Sequence, residues 1–187
     1  MLTHQGTKMI ETKRLLLRKA QRTDAEPMFR NWASDSAVTK YLTWPTYQNV
    51  ETAHFILDFW TREYEKADFY QWMIELKDIG EPIGSISVVS LNEDVGDAEI
   101  GYCIGANWWH QGIVSEATTA VIAYLFAEVG VNRVSARHDP RNIHSGAVMK
   151  KCGMTYEGTT RATSRNNQGI CDTAIYGILR SEWAQTK

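Results

Sequence analysis

AEIGYCI, residues 98–104, followed by WWHQGIVSEA, residues 108–117, reads as a strand that passes through a short glycine-containing turn into a helix. A helix start of this kind presents backbone N–H groups that have no partner within the helix, at the positive end of the helix dipole. Together these make an anion site. Gly112 lets the backbone approach a phosphate with no side chain in the way. On physical grounds alone this is a phosphate-site expectation, since turn glycines are usually only turn residues. There is no GxxxxGK[ST] segment, as a P-loop would need, and no GxGxxG after a first strand, as a dinucleotide fold would need.

The flanking segments extend the pattern in both directions. Arg14–Arg18 is a short apolar run between basic ends and reads as a first strand. Thr23 and Asp24 offer a cap, with Pro27 in the first turn of a helix carrying Met28, Phe29 and Trp32. Asn49 caps a second helix, on which Phe55, Ile56, Phe59, Trp60 and Tyr64 recur at helical spacing. Strands are expected over Phe69–Leu76, Ile83–Leu91 and Ala98–Ile104, the last with a bulge or close backbone approach near Gly101 and Gly105. A buried helix over Ile113–Val129 ends at Gly130, and a strand follows over Val131–Arg137. A short helix over Asn142–Lys151 closes at Gly153, and two strands remain, near Met154–Thr160 and Thr173–Leu179. The order is β-α-α-β-β-β-α-β-α-β-β. It implies an α+β (mixed α/β) fold: a mixed, mostly antiparallel twisted sheet of about seven strands flanked by about four helices. Residues 1–10 read as an N-terminal tail and 11–183 as one domain.

Composition narrows the class of partner. The chain has 187 residues, 43% hydrophobic and 22% charged, with a formal net charge of −2. That is enough chain for one buried core. A nucleic acid or a membrane surface is not expected as partner, because no basic excess is present. The first ten residues lack an apolar h-region, and no apolar run reaches eighteen residues. The odd set Cys103, Cys152 and Cys171 suggests free thiols in a reducing cytoplasm. His138 and His144 are not at metal-ligand spacing, so no metal is expected.

The block AEIGYCI…WWHQGIVSEA resembles motif A of the Gcn5-related N-acetyltransferase (GNAT) superfamily. Residues 142–154, NIHSGAVMKKCGM, resemble that family's motif B, at the right distance downstream. ETKRLLLR, residues 11–18, resembles the first strand of the branch that acetylates ribosomal-protein N termini on alanine or serine. The likeness runs from Glu11 to Trp183. Trp109 stands where motif A has Gln or Arg, Val114 where it has Gly or Ala, and Met154 where motif B has Phe.

The resemblance implies acetyl-CoA as co-substrate, with no metal, and a primary amine as acceptor that attacks the thioester directly. It implies that backbone N–H groups from Gln111, Gly112, Ile113, Val114 and Ser115 hold the pyrophosphate, with His110 and Lys151 beside them. The pantetheine arm is expected along the strand at Tyr102, Cys103 and Ile104, with Asn142 bonding it from the neighbouring helix. The Tyr102 side chain itself is read as core. A backbone N–H near Cys103 or Ile104 is the expected oxyanion donor. Glu99 is the candidate base, acting directly or through a water, weighed against a plain salt-bridged strand carboxylate. Many relatives carry a tyrosine where this chain has Met149, which has no proton to give. Ser145 or water is then expected as the acid, or Ser145 is simply a small residue beside the cofactor.

For the acceptor side, the first two helices and the late hairpin are the expected walls. Tyr41, Trp44, Tyr47, Phe55, Phe59 and Trp60 are expected there more as core than as lining. Asp35, Glu51 and Asp172 are candidates to hold a cationic acceptor. The acceptor is read as a peptide N-terminal amine, with a polyamine, amino sugar or antibiotic as alternative, or acyl-CoA binding without turnover. A homodimer paired through an open sheet edge is a further expectation.

Overall fold

The computed structural model describes residues 2–184. Its sheet has eight strands: β1 (Ile10–Glu11), β2 (Leu15–Arg18), β3 (Gln71–Leu76), β4 (Glu81–Asn92), β5 (Asp97–Ile104), β6 (Arg133–His138), β7 (Thr155–Asn166) and β8 (Gly169–Leu179). They lie in the order β1-β2-β3-β4-β5-β6-β8-β7. Every neighbouring pair is antiparallel except β5 and β6. That parallel pair needs a crossover, and α4 (Ile113–Tyr124) provides it.

The parallel pairing is brief. Asp97, Ala98 and Glu99 pair with Arg133, Val134 and Ser135, and then the strands part. β5 stays with β4 to Ile104, while β6 stays with β8 to His138. The sheet therefore opens into a V whose two walls are the last residues of β5 and β6.

Helices cover both faces. α4 and α5 (Ile143–Lys151) pack on one face around Ile100, Ile113, Ala117, Val121 and Met149. On the other face α1 (Ala25–Met28), α2 (Ser36–Thr39) and α3 (Val50–Glu63) enclose a second core with Trp32, Leu57 and Met73. Alternation along β3 feeds both cores, Trp72 and Ile74 facing one and Met73 the other. The Asn49 side chain accepts from the Thr52 N–H and starts α3 as the sequence implies. A short α6 (Arg180–Ala184) follows β8.

Several expectations are corrected. α1 does not run on as a plain helix; it widens into a π turn over Phe29–Ala33, as α4 does over Leu125–Val129. The expected bulge on 98–104 lies instead on β4, where Val89 is the extra residue opposite Ile100 and Glu99. Gly105 is the close approach: a Cβ there would stand 2.1 Å from the Asn31 carbonyl oxygen in the π turn. Gly105→Ala overpacks this contact, at a cost of about 1–3 kcal/mol. Calorimetry is expected to show Tm lowered by about 2–4 °C for each kcal/mol lost. The last two strands are far longer than 154–160 and 173–179, and a three-residue bulge at 161–163 bends β7 against Asp172.

Residues 2–9, expected as tail, are hydrogen-bonded along the domain. The Thr3 N–H donates to the Val129 carbonyl, and the Trp72 and Tyr124 side chains donate to the Lys8 and Gly6 carbonyls. Met1 lies outside the described residues.

Candidate active site

The turn before α4 carries the strongest local signal. Gly112 is its N-cap residue, left-handed at φ 72°, and no side chain caps the helix. The N–H groups of the first turn are thus left for another acceptor. His110 is also left-handed, at φ 60°, which a non-glycine residue adopts only under local constraint. Beside it, the Trp109 indole N–H donates to the Ile104 carbonyl at 3.0 Å and ties the turn to β5.

Cations converge on this turn. A Cβ on Gly112 would lie 3.4 Å from Lys151 Nζ and 3.9 Å from an Arg14 guanidinium nitrogen. Arg14 also bonds the Gln111 carbonyl and pairs with Glu116 at 2.7 Å. Among the described residues Lys151 has no carboxylate partner, so its charge remains for a ligand. Arg14 was not singled out in the sequence; its partners are about a hundred residues away along the chain. Burial would raise the Glu116 carboxyl, but bonds from Thr12 and Arg14 outweigh it and hold the group below its ordinary range.

From the turn a cleft of about 390 Å³ runs between β5 and α5. His110, Gly112, Ile113, Val114 and Ser115 form its floor. Tyr102, Cys103 and Ile104 form one wall, and Asn142, Ser145 and Lys151 the other. Gln111 does not itself line the cleft, and its side chain donates to the Asn107 carbonyl.

The β4–β5 register decides which backbone groups of β5 face the cleft. The Gly105 N–H donates to the Ile83 carbonyl, so Cys103, two residues back, is also bonded to β4. Tyr102 and Ile104 then point their N–H groups into the V. The open donor is therefore on Ile104 rather than Cys103. Opposite, Asn142 precedes α5 without capping it, and its side-chain amide bonds no other described residue. An extended polar chain laid in the V meets peptide groups on one side and this amide on the other.

Beyond the V lies a second chamber of about 270 Å³. Glu99, Gly101, Arg137 and Asp139 line it. The loop after α2 and the β7–β8 hairpin roof it, held together by Asn167, whose N–H and amide donate to the Leu42, Thr39 and Trp44 carbonyls. Glu99 pairs with Arg137 at 2.6 Å. Burial pushes its carboxyl up, and Arg137 only partly offsets this. Asp139 is held well below the usual carboxylate range by the Arg141 guanidinium. Asp35, Glu51 and Asp172 line neither space. Asp35 caps α2, and Asp172 accepts from the Ala162 N–H in the bulge. Of the aromatic set, Tyr41 lines both spaces and Tyr47 is core, while Phe55 and Phe59 are exposed.

An uncapped helix start with adjacent cations, a half-open strand and a chamber with a desolvated carboxylate together fit a long anionic thioester on one side and an amine on the other. The family comparison agrees. The acetyltransferase (GNAT) domain model matches residues 14–155. The chain belongs to the GNAT acetyltransferases. Its reaction moves an acetyl group from acetyl-CoA to an amine nitrogen. An uncharacterized N-acetyltransferase of Bacillus licheniformis is 30% identical over 92% of this chain and 97% of its own. A candidate ribosomal N-acetyltransferase of Bacillus subtilis is 33% identical over 71% of each. A ribosomal L7/L12 α-N-protein acetyltransferase, solved with coenzyme A, shares the fold at TM-score 0.82 and 20% identity, over 92% of this chain and 98% of its own.

In this acetyltransferase the first turn of α4 would hold the pyrophosphate, and Ile104 and Asn142 the arm. Among the described residues no group of three His, Cys, Asp or Glu side chains stands together to hold a metal. Nor is any helix among the described residues long and apolar enough to cross a membrane.

Proposed function

We propose that this acetyltransferase modifies the N-terminal amine of a peptide or protein by direct attack in a ternary complex, with Glu99 as base. The observation that carries this is the charge pattern of the acceptor chamber. Both of its carboxylates are already paired with arginines, Glu99 with Arg137 and Asp139 with Arg141. Arg165 lines the same chamber and has no carboxylate partner among the described residues. A polyamine carries two or more ammonium groups and would find no unpaired anion for the distal one. A peptide N terminus brings one amine, with a pKa of about 8 against about 10.4 for a lysine, and needs the weaker base. The names of the ribosomal acetyltransferase relatives support the same substrate class.

The test is a panel of short peptides with alanine or serine first, assayed beside spermidine. At equal concentration, kcat/KM is expected to be at least about tenfold higher on the best peptide. Turnover of spermidine with none on any peptide would remove the proposal. A cytoplasmic location belongs to this reading, since three unpaired thiols suit a reducing compartment. So does a homodimer joined along the exposed β7 edge, which sedimentation at about 10 μM, well above an ordinary nanomolar dimer Kd, tests directly.

A further inference from the structure

Cleaving the thioester leaves an electron pair on sulfur, and the sulfur must gain a proton. Met149 is buried at 2% exposure and has none to give. Five residues line both the cofactor cleft and the acceptor chamber, and so mark where thioester and amine meet: Tyr41, Leu42, Tyr102, Asn142 and Ser145. Three of these bear a hydroxyl. That of Tyr41 is held by no hydrogen bond to a described residue, and its ring lies under the Lys40 ammonium. Tyr102 is different. It rises from β5 across the V, and its hydroxyl donates to the Ser145 carbonyl at 3.0 Å while lying 3.2 Å from Ser145 Oγ.

We propose that Tyr102 is the catalytic proton donor to the departing sulfur, with Ser145 Oγ positioning its phenolic oxygen. This rests on the acetyl-transfer reaction but not on which amine accepts. The phenolic oxygen can accept from Ser145 Oγ–H while its own proton turns from the Ser145 carbonyl to the sulfur. The balance is simple. The amine nitrogen bonds the carbonyl carbon and the C–S bond breaks. The electron pair stays on sulfur, and the Tyr102 proton goes to it. The nitrogen loses one proton to Glu99, and that proton returns to the phenolate through solvent. The net products are an amide and the free thiol. Burial pushes the phenol above its ordinary pKa, so it is protonated when the thioester binds and gives up its proton only as negative charge develops on the sulfur. The donor thus comes from the strand on one wall, where the helix on the other wall presents only methionine.

Tyr102→Phe removes one oxygen and keeps the ring. Thiol release from acetyl-CoA is measured with the best peptide and, separately, with hydroxylamine, a small amine that needs no fitted chamber. The expected result is a fall in kcat of about 10²-fold or more with both acceptors. Coenzyme A affinity by calorimetry and Tm should stay close to the natural protein's. A kcat within about threefold of natural overturns the proposal. So does a loss of affinity and Tm in step with the rate, which would make the hydroxyl a brace for α5. Natural protein that turns over hydroxylamine but no peptide removes the peptide reading and leaves Tyr102 under test.

Discussion

Gly112→Trp is expected to abolish acetyl-CoA binding. Titrated calorimetrically, the natural protein should bind at micromolar Kd, and the variant should show no binding heat up to about 1 mM, a loss of at least about 4 kcal/mol. Two effects add. The residue sits at φ 72°, where a side chain costs about 1–2 kcal/mol. The indole would also project toward Lys151 Nζ and the Arg14 guanidinium, into the space a pyrophosphate needs. Lys151→Ala removes one charge and leaves the backbone donors, so about a tenfold loss is expected from it, in line with one charged hydrogen bond. Binding by Gly112→Trp at natural affinity would mean that the α4 start is not the phosphate site.

Glu99→Gln is expected to lower kcat by about 10²–10⁴-fold, the usual worth of a positioned base, with acetyl-CoA affinity unchanged. The pH dependence separates this from a structural effect. Burial raises the Glu99 carboxyl, so it is protonated, and inactive as a base, at a pH above the ordinary carboxylate value of about 4.3. Activity should therefore rise with pH along a limb displaced upward from that value. Arg137 opposes the shift, so Arg137→Gln should move the limb higher still. Glu99→Gln should remove the limb. A kcat within about threefold of natural would assign proton removal to water alone.

Much of this was legible in the chain because it is local. The helix from Ile113 announces itself through apolar residues at turn spacing and the glycine before it. The resemblance singled out Ile104, Asn142 and Lys151, and the fold places all three along one cleft. What was hidden is what register and distance decide. No local pattern shows that β5 and β6 part after three pairs, or that the bulge falls on the neighbouring strand. β7 is exposed on both faces for most of its length, so it lacks the alternation that marks a strand, and its true extent was missed. Arg14 and Arg137 act through partners far along the chain. Tyr102 does pack against the core, as an aromatic between small neighbours suggests, but the reach of its hydroxyl to α5 has no local signal in the sequence.

The brief β5–β6 pairing has a thermodynamic corollary. With three rungs joining the halves of the sheet, a cofactor arm laid in the V would supply backbone partners the protein lacks there. Free energy of binding is then also free energy against unfolding, about 2.7 kcal/mol when the ligand stands at a hundred times its Kd. Resistance to heat and proteolysis would then rise with the concentration of acetyl-CoA, the bound form being the one that unfolds least.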